Sequence, residues 1–208
     1  MIKALIFDVG GVLFLAKSRK EKNLLSSFNE ACLLLENFGI DVTSSKEKLT
    51  GIYKKSSGGD ITREETLALM STELGVTQTQ LEEYFRRVYS DNSIENKELY
   101  GHILKFKKDG LKIGILSTQF HLSKDVLVPA KYYENFDALV ISCDDKLKKP
   151  EEKSFILILR RLGVKPEETI FIDDKQENLD IAEKLGMKSV LFKNNKQFFS
   201  KLKKFDIE

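Results

Sequence analysis

Four short stretches carry side chains that could do chemistry together. Adjacent acids, Asp173 and Asp174, close the run TIFIDD. Neighbouring carboxylates repel, and a hard cation with a preference for oxygen ligands, such as Mg²⁺, relieves that repulsion; the alternative is that one of them caps the helix that follows. Asp8 ends a second apolar run in LIFDVGGVLF and is followed by Gly10, so its carboxylate can leave a strand end while nearby backbone comes close to a ligand. Asp also ends strands simply by capping a turn. Ser117 and Thr118 close LKIGILST, and Lys149 precedes a proline in KKP. A hydroxyl and a fixed cation suit a cluster of phosphate oxygens, although each alone also reads as ordinary strand-end or surface chemistry.

These residues gain meaning from the elements that must hold them. Residues 2–8, 111–117, 137–142, 168–173 and 187–192 are rich in Ile, Val, Leu and Phe without strict alternation, as parallel strands covered on both faces should be. Helical spacing over 95–109, 151–162 and 176–185 alternates with them, which predicts an α/β fold with a doubly wound parallel sheet. In such a sheet the carboxyl ends of the strands form the ligand crevice, so Asp8, Ser117, Lys149 and Asp173-Asp174 are expected to converge there.

The stretch from 15 to 92 breaks the pattern. It offers no convincing strand and four helical segments, near 20–38, 44–55, 62–74 and 77–90. Thr62 with Glu65 spells a capping box and Thr77 with Gln80 resembles a second, while SSGGD at 56–60 reads as a break. A helical block of this length is too large for a simple crossover, so a helical cap over 15–92 is expected on a core built from 1–14 and 93–208.

Composition narrows the function classes. Lys and Arg number 34 against 32 Asp and Glu, a formal charge of +2, with the signs interspersed except at the lysine-rich end. Nothing there calls for nucleic acid. Cys32 and Cys143 form no CxxC pair, which argues against thiolate metal sites and a disulfide framework. No apolar run reaches the about 18 residues of a membrane span, and the N-terminus lacks the features of a signal peptide. A cytoplasmic protein, monomeric by default, is the expectation.

In order and rough spacing the four stretches resemble the motifs of the haloacid dehalogenase superfamily: FDVGGVL the first, LST the second, KKP the third and FIDDKQEN the fourth. Within it the chain is similar to the branch with a helical cap after the first motif, which includes sugar-phosphate phosphatases resembling alpha-glucose-1-phosphate phosphatase and the phosphatase domain of soluble epoxide hydrolase. SSGGDITREE resembles a cap segment of that branch. The resemblance implies a Rossmannoid core and a phosphatase acting on a small phosphorylated metabolite through an aspartyl-phosphate on Asp8. It further implies Mg²⁺ held by the Asp8 carboxylate, the Gly10 carbonyl and Asp174, with Asp173 acting on metal-bound water. Ser117, Thr118 and Lys149 would hold phosphoryl oxygens, Lys149 would also orient Asp8, and Asn178 would support the metal site.

Most phosphatases of the superfamily carry a second aspartate two residues after the nucleophile, where it protonates the leaving oxygen. Here that residue is Gly10, which keeps the backbone carbonyl and lacks the acid. General acid–base catalysis is worth about 10²–10⁴-fold, so the resemblance implies a slowed enzyme unless something compensates. His121 is the candidate replacement, its imidazole being a proton carrier four residues past the strand end. A leaving group that is already a weak base needs no such acid. Two other functions compete: a phosphate-binding or regulatory protein without turnover, and a 2-haloacid dehalogenase, which the paired acids at 173 and 174 argue against. His102 reads as structural. Phe14, Phe28, Tyr53, Tyr84, Phe85 and Tyr89 read mostly as packing at helical spacing, with some able to face substrate.

Overall fold

The computed structural model describes residues 1–17, 28, 32 and 34–207. In chain order, β1 (Ala4–Phe7) is followed by β2 (Phe14–Ala16), a 3-10 turn at Leu34–Phe38, and three helices, α1 (Lys46–Ser57), α2 (Arg63–Leu74) and α3 (Gln78–Asn92). β3 (Ser93–Glu95) leads into α4 (Lys97–Lys108), β4 (Lys112–Ser117), α5 (His121–Leu127) and α6 (Ala130–Asn135). Then come β5 (Ala138–Ile141), α7 (Ser142–Asp145), α8 (Glu152–Leu162), β6 (Thr169–Asp173), α9 (Gln176–Lys184), β7 (Lys188–Leu191) and α10 (Asn195–Leu202).

Five strands pair in parallel in the order β5-β4-β1-β6-β7. Alternate residues of each strand go to opposite faces, and both faces are covered. Leu5, Phe7, Ile170 and Ile172 share a core with Ile103, Phe106 and Phe198, from α4 and α10. Ala4, Ile6 and Phe171 face the other way into a core with Phe155 and Ile158 of α8 and Leu179 of α9. This double cover is why the strands read as unbroken apolar runs, and the expected doubly wound sheet is present.

The order also makes a crevice. From β1 the chain winds outward through β4 and β5, then returns to β6 and β7 on the other side, so the two directions part beside β1. Register aligns the strand ends: Phe7 pairs with Ile115 on one side and Ile172 on the other. Asp8 and Asp173 each stand one residue beyond that pairing, and the Asp8 amide bonds the Ile172 carbonyl at 2.9 Å.

Between β1 and β4 the described residues are mainly helical. Thr62 and Thr77 form complete capping boxes with Glu65 and Gln80, and Gly75 ends α2 in the left-handed conformation, φ 65°. Of the helix expected over 20–38, residues 20–27, 29–31 and 33 lie outside the described residues. One pairing was not foreseen: β2 and β3, three residues each, form an antiparallel ribbon with Phe14 opposite Glu95 and Ala16 opposite Ser93. Among the described residues no helix is long and apolar enough to cross a membrane.

Candidate active site

Three of the four stretches meet on a single oxygen. Asp8 Oδ1 accepts from its neighbour's amide, Val9 N, at 2.7 Å and from Ser117 Oγ at 2.9 Å, and it pairs with Lys149 Nζ at 2.8 Å. No hydrogen-bond donor among the described residues reaches Oδ2. Asp8 itself is 7% exposed and lines a cavity with Gly10, Ser117, Thr118, Lys149 and Asn178. The carboxylate is therefore clamped by one oxygen beside open space.

Lys149 is held from the far side by Asp173 Oδ2 at 2.6 Å. That same oxygen accepts from Asn178 Nδ2 at 3.0 Å, and Asp173 Oδ1 accepts from Lys175 N at 2.9 Å. Asp173 is fully buried with both oxygens partnered by protein, so it fixes the ammonium and the start of α9. Asn178 acts through Asp173, and the Thr118 hydroxyl accepts from Lys149 N at 3.1 Å, steering the chain into KKP. Burial works against the Lys149 ammonium, yet Asp173 and Asp8 together raise its pKa, keeping it charged. Burial raises the pKa of Asp8, opposed by Lys149 and reinforced by Asp173.

Asp174 differs from its neighbour. Its Oδ1 is buried without a hydrogen-bond partner. Its carboxyl pKa is raised to about 6 by burial and by the charges of Asp8 and Asp173. Its Oδ2 lies where a Cβ on Gly11 would stand, 2.4 Å away, and Gly11 has φ +79°, so only glycine leaves room for this carboxylate. Ligand oxygens of Asp8, Asp173 and Asp174 all lie within 4.8 Å of one another. Three carboxylates against one buried ammonium, with one oxygen orphaned, suit a small hard divalent cation. The donors present fit Mg²⁺, and Asp174 offers the free oxygen.

Gln119 was not singled out from the sequence. It is 4% exposed and lines the cavity. Its Nε2 donates to Ser117 Oγ at 3.1 Å, and its Oε1 accepts from Ser123 Oγ at 2.7 Å. A donor arriving at Ser117 Oγ leaves that hydroxyl free to donate onward to Asp8 or to an incoming oxyanion.

His121 goes elsewhere. It is buried at the start of α5, with Nε2 3.1 Å from the Ile61 carbonyl, so that nitrogen carries the proton, and with its amide 3.3 Å from Ser56 Oγ. The ring ties the segment after α1 to the sheet and is not among the side chains lining the cavity. His121, Cys143 and Asp144 also approach within 4.8 Å. Asp144 is already paired with Lys124 at 2.8 Å, and burial with the Asp144 charge pushes the Cys143 thiol up to about 12.

A carboxylate, a serine hydroxyl, a lysine and paired acids at adjoining ends of a doubly wound sheet define a hydrolase of the haloacid dehalogenase type. The chain belongs to that family: its model, "haloacid dehalogenase-like hydrolase", matches residues 2–186. The glyceraldehyde 3-phosphate phosphatase of Methanopyrus kandleri is 26% identical over 94% of this chain and 86% of its own length. Acyl-CoA dehydrogenase family member 10 of Mus musculus is 30% identical over 64% of this chain, which spans only 13% of that protein. Among solved structures, the HAD family enzyme bt-2542 of Bacteroides thetaiotaomicron, in complex with magnesium and inorganic phosphate, superposes with a TM-score of 0.73 at 23% identity, covering 93% of this chain and 95% of that one.

Proposed function

We propose that the protein is a Mg²⁺-dependent phosphatase that hydrolyses a small phosphate monoester through an aspartyl-phosphate on Asp8. The observation that carries this is the asymmetry of Asp8: among the described residues its Oδ1 takes every hydrogen-bond donor that reaches the carboxylate, and Oδ2 is left for attack. A nucleophile must be held still without being neutralised.

Asp8 Oδ2 attacks phosphorus, the bond from phosphorus to the leaving oxygen breaks, and the electron pair departs on that oxygen, which takes a proton from water. Water then attacks the phosphorus of the aspartyl-phosphate, the bond to Asp8 breaks, and inorganic phosphate leaves. Lys149 and Ser117 meet the phosphoryl oxygens as charge builds, and Thr118 and Asp173 hold Lys149 in place. Mg²⁺, when bound by Asp8, Asp174 and the Gly10 carbonyl, supplies charge neutralisation at the phosphoryl group. The magnesium and phosphate of the Bacteroides neighbour and the phosphatase name of the Methanopyrus relative support this reading. Residues 15–92 serve as the cap in this account, with Tyr53 of α1 and Tyr89 of α3 bordering the cavity.

Phosphate release from a panel of monoesters, with Mg²⁺ and with EDTA, tests the proposal in wild type and Asp8→Asn. Release is expected only in wild type with metal. Release retained by the variant or in EDTA removes the mechanism.

A further inference from the structure

The cavity has two unlike ends. Its charged lining, Asp8, Lys149, Lys175 and Glu177, comes from the ends of β1 and β6, the step into α8 and the start of α9. The other wall is Phe28, Tyr53, Tyr89 and Phe120.

These rings are assembled before any ligand arrives. Phe28 and Tyr53 stack at 4.4 Å with an interplanar angle of 12°, and Phe120 stands edge-on to both at 5.4 Å. Phe120 is fixed just beyond Ser117, Thr118 and Gln119, so the aromatic wall begins where the phosphoryl group would be held. Burial raises the pKa of Tyr53 and carries that of Tyr89 well above the ordinary tyrosine value, so both stay neutral. Among the described residues no carboxyl or imidazole belongs to this wall, His121 being turned to Ile61. A leaving group seated against it meets aromatic surface, and the titratable protons found there among the described residues are those of the Tyr53 and Tyr89 hydroxyls, weak acids that burial weakens further.

From these two properties of one wall we infer that the leaving group is an uncharged aryl group, so that the substrate is an aryl phosphate monoester. The inference rests on the phosphatase reading above. Aromatic surface favours a planar apolar ring over a polyol. A phenol ionises near pH 10, as the tyrosine side chain does, so phenolate departs without a proton from the protein. Phenyl phosphate and water thus give phenol and inorganic phosphate, the phenolate taking its proton from water.

The test compares kcat and KM for phenyl, benzyl and cyclohexyl phosphates, glycerol phosphate and glucose 6-phosphate with Mg²⁺. Phenyl phosphate is expected to exceed cyclohexyl phosphate and both polyol phosphates at least about tenfold in kcat/KM. Benzyl phosphate should share the low KM of phenyl phosphate but have a lower kcat, because its alkoxide is the stronger base. Tyr53→Leu should erase the KM advantage of the two aryl substrates, and Tyr53→Phe should keep it. A polyol phosphate turned over as well as phenyl phosphate, or an aryl advantage unchanged in Tyr53→Leu, overturns the inference and leaves the phosphatase reading standing. Phenyl phosphate turned over equally by Asp8→Asn overturns the phosphatase reading instead. Calorimetric binding of phenyl phosphate and glucose 6-phosphate to Asp8→Asn reads the preference without turnover, and equal affinities also refute it.

Discussion

At the scale of the residue, the contrast between Asp173 and Asp174 matters most. Adjacent in sequence, they have opposite situations: Asp173 has protein donors on both oxygens, and Asp174 keeps one buried oxygen with none. The Asp174 carboxyl, raised from 3.8 to about 6, is penalised when ionised in the fold. The penalty is absent below pH 3.8, grows as pH rises to about 6, and is full above that, on the order of 2–3 kcal/mol. In metal-free buffer at neutral pH, Asp174→Asn is therefore expected to melt above wild type, and the gap should close below pH 4. Added Mg²⁺ should stabilise wild type and not the variant. Equal melting temperatures without metal at pH 7 would contradict this account. The pairing of acids was legible because like charges side by side are a poor structural choice; which acid is orphaned depends on Lys149 and Gly11, distant in sequence. Gln119 escaped notice because glutamine at a strand exit usually meets solvent. The partner of His121, the Ile61 carbonyl, is sixty residues away, so its position in the chain gave no hint of its engagement.

At the scale of the element, local chemistry was readable wherever neighbours in sequence decide the outcome. The five strands announced themselves because burial on both faces demands continuous apolar runs, and α2 and α3 begin at the threonines that cap them. Thr62 Oγ1 accepts from Glu65 N at 3.1 Å, and Glu65 Oε2 accepts from Thr62 N at 2.7 Å. Thr62→Ala is expected to cost about 1 kcal/mol, lowering the melting temperature by about 2–4 °C for a chain of this size. No change in a thermal scan would mean that the box does not hold α2. The β2–β3 ribbon was not readable, since three-residue strands show no period and their pairing joins segments nearly eighty residues apart.

At the scale of the molecule, strand order converts scattered motifs into one centre. β1 lies between β4 and β6, so residues separated by more than a hundred positions, Asp8 and Ser117, touch. The convergence of strand ends was foreseeable from the doubly wound pattern; the order itself was not, because every parallel strand of this sheet has the same apolar character. The central claim is that the centre passes a phosphoryl group through Asp8. Its most direct test is acid quenching during turnover of phenyl phosphate with Mg²⁺, followed by mass spectrometry of the peptide containing Asp8. The account predicts a phosphoryl adduct on Asp8 in wild type and neither adduct nor turnover in Asp8→Asn. Turnover by the variant at the wild-type rate would contradict it.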